Sequence, residues 1–301
     1  MVRAALSVAA IYALVSGHGS LWLLTCNRGC SGEARQAVGH VLRVDPRTAR
    51  VLKSSVLPRP QAIAVGSHGV YALDFWRDRI RLLDSRTLHV VRSLKLKLPF
   101  RFSAHDNAFL PFAVAVGPGA VWVATDRGVL ARVDLRVTRV VATVRLPFDA
   151  FGGMAAGPHA VWVAESLAGL YRVDPRTNRV AARIRMEGFD AEQVVVCDGK
   201  VLVLGAAASV QRDLPNREYL VRVLRDGAKR IGRLPSGPLA YTCGAGSLWL
   251  GQQGGSRLER IDPANGRVVA QRRAKIGTAL AYAGGKLWTA RPDGAVRQLG
   301  M

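Results

Sequence analysis

The stretch AVAVGPGAVWVATDRGVLARVDLRVTRVVATVRL, from Ala113 to Leu146, decides the fold. It predicts four short strands, at 114–116, 120–124, 129–133 and 140–144. Each is rich in Val or Ala and is bounded by turn residues, the pattern of β-strands rather than helix. Gly117-Pro118-Gly119 makes the first turn, 125–128 the second and 134–139 the third.

The unit recurs. Trp22, Tyr71, Trp122, Trp162, Trp249 and Trp288 occupy one position of its second strand, and Leu202 fills it once. Three residues earlier stand Gly19, His68, Gly119, His159, Gly199, Gly246 and Gly285. That position suits a left-handed turn residue, which Gly adopts freely and His more readily than most. An Asp-led turn follows the third strand, at 45–48, 84–87, 134–138, 174–177 and, in another version, at Asp262-Pro263. Asp caps such a turn through its carboxylate, and Pro presets φ. Seven four-stranded units of roughly forty residues each are the mark of a propeller. The expected fold is all-β: a seven-bladed β-propeller of four-stranded antiparallel blades, one domain over 1–301.

The ends bear on how the ring closes. Arg3 and the apolar run at 4–15 resemble a secretory signal, yet 11–15 sits where a first strand belongs. The last unit has three strands, so residues 2–8 (VRAALSV) are expected to supply its fourth and close the ring with the N-terminal strand. Whether the protein is cytoplasmic or exported turns on whether 1–16 are retained. No run of about 18 apolar residues marks a membrane span.

The formal charge is +22, from 36 Arg and 7 Lys against 21 acids. Such a balance attracts polyanions, nucleic acid included. Arg43, Arg132, Arg172 and Arg260, each one apolar residue before the turn Asp, recur with the repeat. So do Arg50, Arg139, Arg179 and Arg267, which open the fourth strand. They are expected to ring the outer edge as solvated charge. Cys26 and Cys30 read as a local disulfide or two thiols, since zinc needs four ligands. Cys197 and Cys243 read as small buried residues, with a bridge between neighbouring sheets as the alternative.

The long inserts, at 25–40, 98–111 and 205–219, all join a second to a third strand or a fourth to a first. In a propeller those connections leave one face, and loops on a rigid scaffold are where binding residues concentrate. Ligand-binding candidates on that face are Trp76, Arg77, Arg101, Phe102, His105, Asp106, Asp126, Phe148, Asp149 and Phe151. The residue leaving each second strand adds Asp74, Glu165, Gln252 and Arg291, expected near the mouth of the central channel.

The G-x-G-x-V-W-V-A, R-V-D-P-x-T and R-V-V-A-T-V pieces resemble YVTN-type bacterial propellers and the virginiamycin B lyase-like propellers, over nearly the whole chain. Resemblance to the lyases implies a metal-dependent enzyme with a Trp-Phe-Thr-Glu piece, where this chain has Trp162-Val163-Ala164-Glu165. It also implies a Pro-His-Gly base at the start of a first strand. The corresponding starts here, Pro60-Gln61-Ala62, Pro111-Phe112-Ala113, Gly152-Gly153-Met154 and Pro238-Leu239-Ala240, lack His. His105 beside Asp106 is the substitute, and Glu165 and His105 are the catalytic candidates of that alternative. No G-x-S-x-G, Walker A, H-E-x-x-H or EF-hand loop occurs. The leading expectation is a non-catalytic, monomeric binding module that grips a protein or small-molecule ligand. No cofactor is expected, a divalent metal entering only with the lyase-like alternative. A polyanion- or nucleic-acid-binding rim is the third reading.

Overall fold

The computed structural model describes residues 10–26, 38–58, 60–74, 79–96, 113–125, 128–147, 151–166, 169–186, 188–207, 218–225, 227–291 and 294–300. Among them are 27 strands and no helix. The strands form seven antiparallel sheets, the blades, which span 10–58, 60–95, 113–145, 151–185, 189–233, 239–273 and 279–299. In each blade the strands lie side by side in chain order. The seventh has three strands among the described residues. The strand expected to complete it, at 2–8, lies outside them. The inner strand expected at 11–15 is present as Ala10–Gly17.

Packing makes the ring. The seven buried apolar clusters each join two neighbouring blades, and one of them joins blade 7 to blade 1 through Leu21, Leu23, Ala281 and Trp288. A blade therefore buries both faces. This is why Ala120–Ala124 is apolar without alternation and buried throughout. Trp22, Trp122 and Trp288 are at most 1% exposed, and truncating one to Ala would cost about 3–5 kcal/mol. The indole N–H of Trp22 donates to Gly17 O at 2.9 Å, and that of Trp249 to Gly244 O at 3.1 Å. Gly17 and Gly244 end first strands, where a Cβ would strike Val65 or Tyr282 of the next blade. Glycine there lets the inner strands converge.

The first-to-second turns are two-residue loops. His18-Gly19, Asp198-Gly199, Ala245-Gly246 and Gly284-Gly285 have positive φ at both residues, as type I′ hairpins require. His68 and His159 do not share this conformation; in blade 2 the positive φ falls on Gly69, at 143°. In the third-to-fourth turns the Asp carboxylates accept backbone N–H groups two residues on, from Arg47, Arg86 and Arg176.

Of the third-strand arginines, Arg172 is exposed as expected, but the other three are not solvated rim charge. Arg43, Arg132 and Arg260 lie across from the key Trp of their own blades, with guanidinium carbons 5.6–5.8 Å from the ring centres. Arg132 also donates to Asn178 Oδ1 of blade 4 at 3.0 Å, and Arg222 to Ala264 O of blade 6 at 2.7 Å. The repeat places them there to stack and to link blades.

The outer strands are exposed edges, and each can template pairing with another chain. A bulge falls at one place in five blades, after Arg43, Leu82, Arg132, Arg172 and Arg260. The six outer strands carry Lys or Arg and no Asp or Glu. Bulges and like charge both discourage edge-to-edge association.

Cys197 and Cys243 form a disulfide, with Cα atoms 5.4 Å apart. It joins the first strands of blades 5 and 6. The bridge weighed as the alternative is thus the one present. Cys26 is disulfide-bonded as well. No described cysteine is free.

Candidate functional site

Antiparallel order fixes which connections share a face. First-to-second and third-to-fourth turns leave one end of the ring, and second-to-third and fourth-to-first connections leave the other. The connections at 27–37, 97–112 and 208–217 belong to the second set. The long-connection face is therefore the candidate site.

First strands line the central channel, a cavity of about 500 Å³. Ala13, Val15, Ala155, Val195, Tyr241 and Thr278 are among its walls, which carry no charge. Tyr241 donates its hydroxyl to Gln193 Oε1 at 2.8 Å, and burial pushes its pKa up. Asp190, Glu192 and Glu218 lie at the long-connection end of blade 5. Glu192 is the extra residue of a bulge in the first strand. Burial raises all three carboxyls, and the charges of Glu218 and Asp190 raise Glu192 further. Glu218 also accepts the Gly237 N–H at 2.7 Å.

The residues that leave the second strands do not line the channel. Asp74 is fully buried in an ion pair with Arg81 Nη1 at 3.0 Å. Its strand direction aims it at the seam with blade 1, because Val70 and Ala72 on the same face pack there. Glu165 faces blade 3 in the same way, beside Val161 and Val163. It accepts from Tyr171 at 3.2 Å and Arg183 at 3.1 Å. Tyr171 is raised by burial and by the Glu165 charge. Thr25 is buried and Thr125 Oγ1 accepts the Val129 N–H at 3.1 Å, so these positions close the connection. Gln252 is exposed and donates to Ser236 O at 2.9 Å. Arg291 receives the Gly294 N–H in a short turn. Phe151 pairs with Glu165 across the first two strands of blade 4. Trp76, Arg77, Arg101, Phe102, His105, Asp106, Asp126, Phe148 and Asp149 lie outside the described residues. The structure therefore brings no catalytic pair of Glu165 and His105 into view. Among the described residues no cluster of His, Cys, Asp and Glu could hold a metal.

Two features escaped sequence reasoning. The first is the polar residue midway along some third strands: Arg81, Tyr171 and Glu259. Its signal was a polar side chain at a position whose parity is buried in other blades, as in RLERI at 257–261. Glu259 is 6% exposed and accepts from Arg257 Nε at 2.8 Å and Gln271 Nε2 at 2.9 Å. The second is a row of exposed cations at the ends of five successive fourth strands: Lys95, Arg145, Arg185, Arg233 and Arg273. All five stand on the long-connection side. Their signal was a basic residue just before the apolar residue that closes the strand, as in Arg145-Leu146 and Arg233-Leu234.

No family model matches the chain, and no curated protein matches it in sequence. Solved structures do match in shape. A chain of Kuenenia stuttgartiensis hydrazine synthase superposes with a TM-score of 0.74 at 12% identity, covering 100% of this chain and 98% of its own. The WD40 domain of Neurospora crassa Pan2 gives 0.65 at 11%, covering 98% and 90%. BamB from Moraxella catarrhalis gives 0.58 at 14%, covering 95% and 84%. At such identities the likeness shows the propeller fold, and a fold shared with a synthase and a WD40 domain does not select a chemistry.

Proposed function

We propose that this protein is an interaction module whose long-connection face grips a protein or small-molecule partner. One observation carries the reading: each stretch of ten residues or more between successive described strands runs from a second strand to a third or from a fourth to a first, so all are anchored at the same end of the ring. The opposite end is closed by two-residue hairpins and Asp-capped turns, which leave little surface to vary. The buried Asp74–Arg81 pair ties two strands of blade 2 and the Cys197–Cys243 bridge locks blade 5 to blade 6, so the loops stand on a stiff frame.

Site-specific photo-crosslinking in cells that naturally make the protein tests it. A photo-reactive side chain at Gln253, exposed on the long-connection face, is expected to give discrete adducts. The same group at Arg136, exposed in a third-to-fourth turn, is expected to give none. Adducts from position 136 alone would reverse the assignment of the face.

A further inference from the structure

We propose that the cleft between blades 5 and 6 binds a small organic oxyanion, a carboxylate or phosphate on a compact apolar body. It lies on the face that the preceding reading assigns to contact, and it deepens that reading. The cleft has a volume of about 500 Å³, within the range of ligand pockets. Arg233, Leu234 and Pro235 form one wall, from the end of blade 5. Gly251, Gln252, Gly255, Ser256, Arg257 and Glu259 of blade 6 form the rest.

The side chains are already arranged for an anion. Glu259 takes Arg257 through Nε at 2.8 Å, so both terminal nitrogens of that guanidinium remain for a ligand. A fork held in this way forms paired hydrogen bonds to an oxyanion with little ordering left to do. Arg233 makes no ion pair among the described residues and lines the same cleft. Gln252 is fixed by its bond to Ser236 O. Gly251 offers the cleft its backbone: a Cβ there would point away from it, to 2.8 Å from Ile276 Cγ1 on the blade 7 side. Two arginines outweigh the one carboxylate, and Leu234 and Pro235 offer an apolar surface beside them.

Three probes test this by thermal shift and calorimetry on the full chain: phenyl phosphate, phenylacetate and inorganic phosphate. Saturable binding of a phenyl-bearing probe, tighter than inorganic phosphate, is expected, and the stronger of the two names the headgroup. Arg257→Gln and Arg233→Gln should each weaken it about tenfold, which is 1.4 kcal/mol. Arg257→Lys should weaken it less, since charge survives without the fork. Arg185→Gln, in the same cationic row but on blade 4 and outside the cleft, should change nothing. Equal losses from Arg185→Gln and Arg257→Gln would reduce the effect to the general positive charge and overturn the site. So would binding that survives the Arg233→Gln, Arg257→Gln double variant, or no saturable binding of any probe. The crosslinking result stands apart from all of these, because it uses no arginine of the cleft.

Discussion

Blade 2 and blade 6 hold an acid–base pair in the same region, and they use it differently. In blade 2 the pair is shut: the side chains of Arg81 and Asp74 are 10% and 0% exposed. In blade 6 it is open: the Glu259 side chain is 8% exposed but that of Arg257 is 66%. Blade 4 stands between, with Arg183 at 44% and Glu165 at 14%. In blade 2 the base comes from the third strand and reaches back to the second-strand exit. In blade 6 the acid occupies that third-strand place, and the arginine sits two residues earlier, at the lip of a cleft. A swap of sign at one strand position turns an internal fastener into a group that faces solvent.

The comparison breaks first on stability. Arg81→Leu takes the paired guanidinium away from the buried Asp74 carboxylate, which costs about 3–5 kcal/mol. Arg257→Leu removes a mostly solvated group and should cost no more than about 1 kcal/mol. Denaturant midpoints at constant m-value read both. Equal losses would mean that the two pairs do the same work. Adding Asp74→Leu to Arg81→Leu should recover most of the loss, because two apolar side chains can replace a buried pair.

Next in size is the bridge between blades 5 and 6. Cys197→Ala with Cys243→Ala should cost about 2–5 kcal/mol, since the bridge closes a 46-residue separation in the unfolded chain. It also sharpens the comparison. The seam that carries the open pair has a covalent tie, whereas the seam that Asp74 faces is packed by apolar side chains of blades 1 and 2. Reducing agent should therefore lower the melting temperature of the natural protein by more than that of the double variant, in which the Cys26 disulfide is still present to be reduced.

Much of this architecture was readable in advance, and the limits were physical. The repeat of Trp22, Tyr71, Trp122 and their equivalents gave blade number and strand order, because each needs the same slot between two sheets. Turn type was legible where Gly fills the second place, and not at His68 or His159, whose hairpins close differently. Arg43, Arg132 and Arg260 read as surface charge because a sequence shows spacing but not what lies across the strand. Asp74 was placed at the channel for a related reason. Its strand position was right, but its direction depends on which blade lies beside that face. The row ending in Arg233 and Arg273 was hidden because basic residues are frequent everywhere in this chain.

A smaller effect separates the acidic group of blade 5 from the turn aspartates. Burial raises Glu218 above its unfolded value. Its contribution to stability is then full in acid, where it is protonated, and is lost as pH rises through the folded value. Glu218→Gln keeps an acceptor for Gly237 N–H and removes that loss. The variant should melt slightly higher than the natural protein near pH 7, and the gap should close as pH falls below about 4. Asp45, Asp84 and Asp174 behave oppositely. Backbone N–H groups, of Arg47, Thr87 and Arg176 respectively, hold their carboxyls below the usual range. Their contribution is present above the unfolded value and lost as pH falls. A gap that widened in acid would place Glu218 with the turn aspartates.

The smallest effect concerns the third-to-fourth turns. Ala49 holds φ at 57°, and Gly266 occupies the same place in blade 6 at 75°. Left-handed backbone costs a non-glycine residue about 1–2 kcal/mol. Ala49→Gly relieves this, against about 0.4–1 kcal/mol from the freer unfolded chain. The net expectation is a gain of several tenths of a kcal/mol, visible as a slightly higher denaturant midpoint. Leu88 and Val137 share the left-handed φ, at 62° and 56°, but are only 1% and 2% exposed. There the buried side chain outweighs the strain, so glycine would lose more than it relieves. Blade 6 could take Gly266 because the Cβ site at that residue collides with Ile231 O of blade 5. The seam that holds the open cleft is thus also the one where the turn has given up its side chain to let the neighbouring outer strand approach.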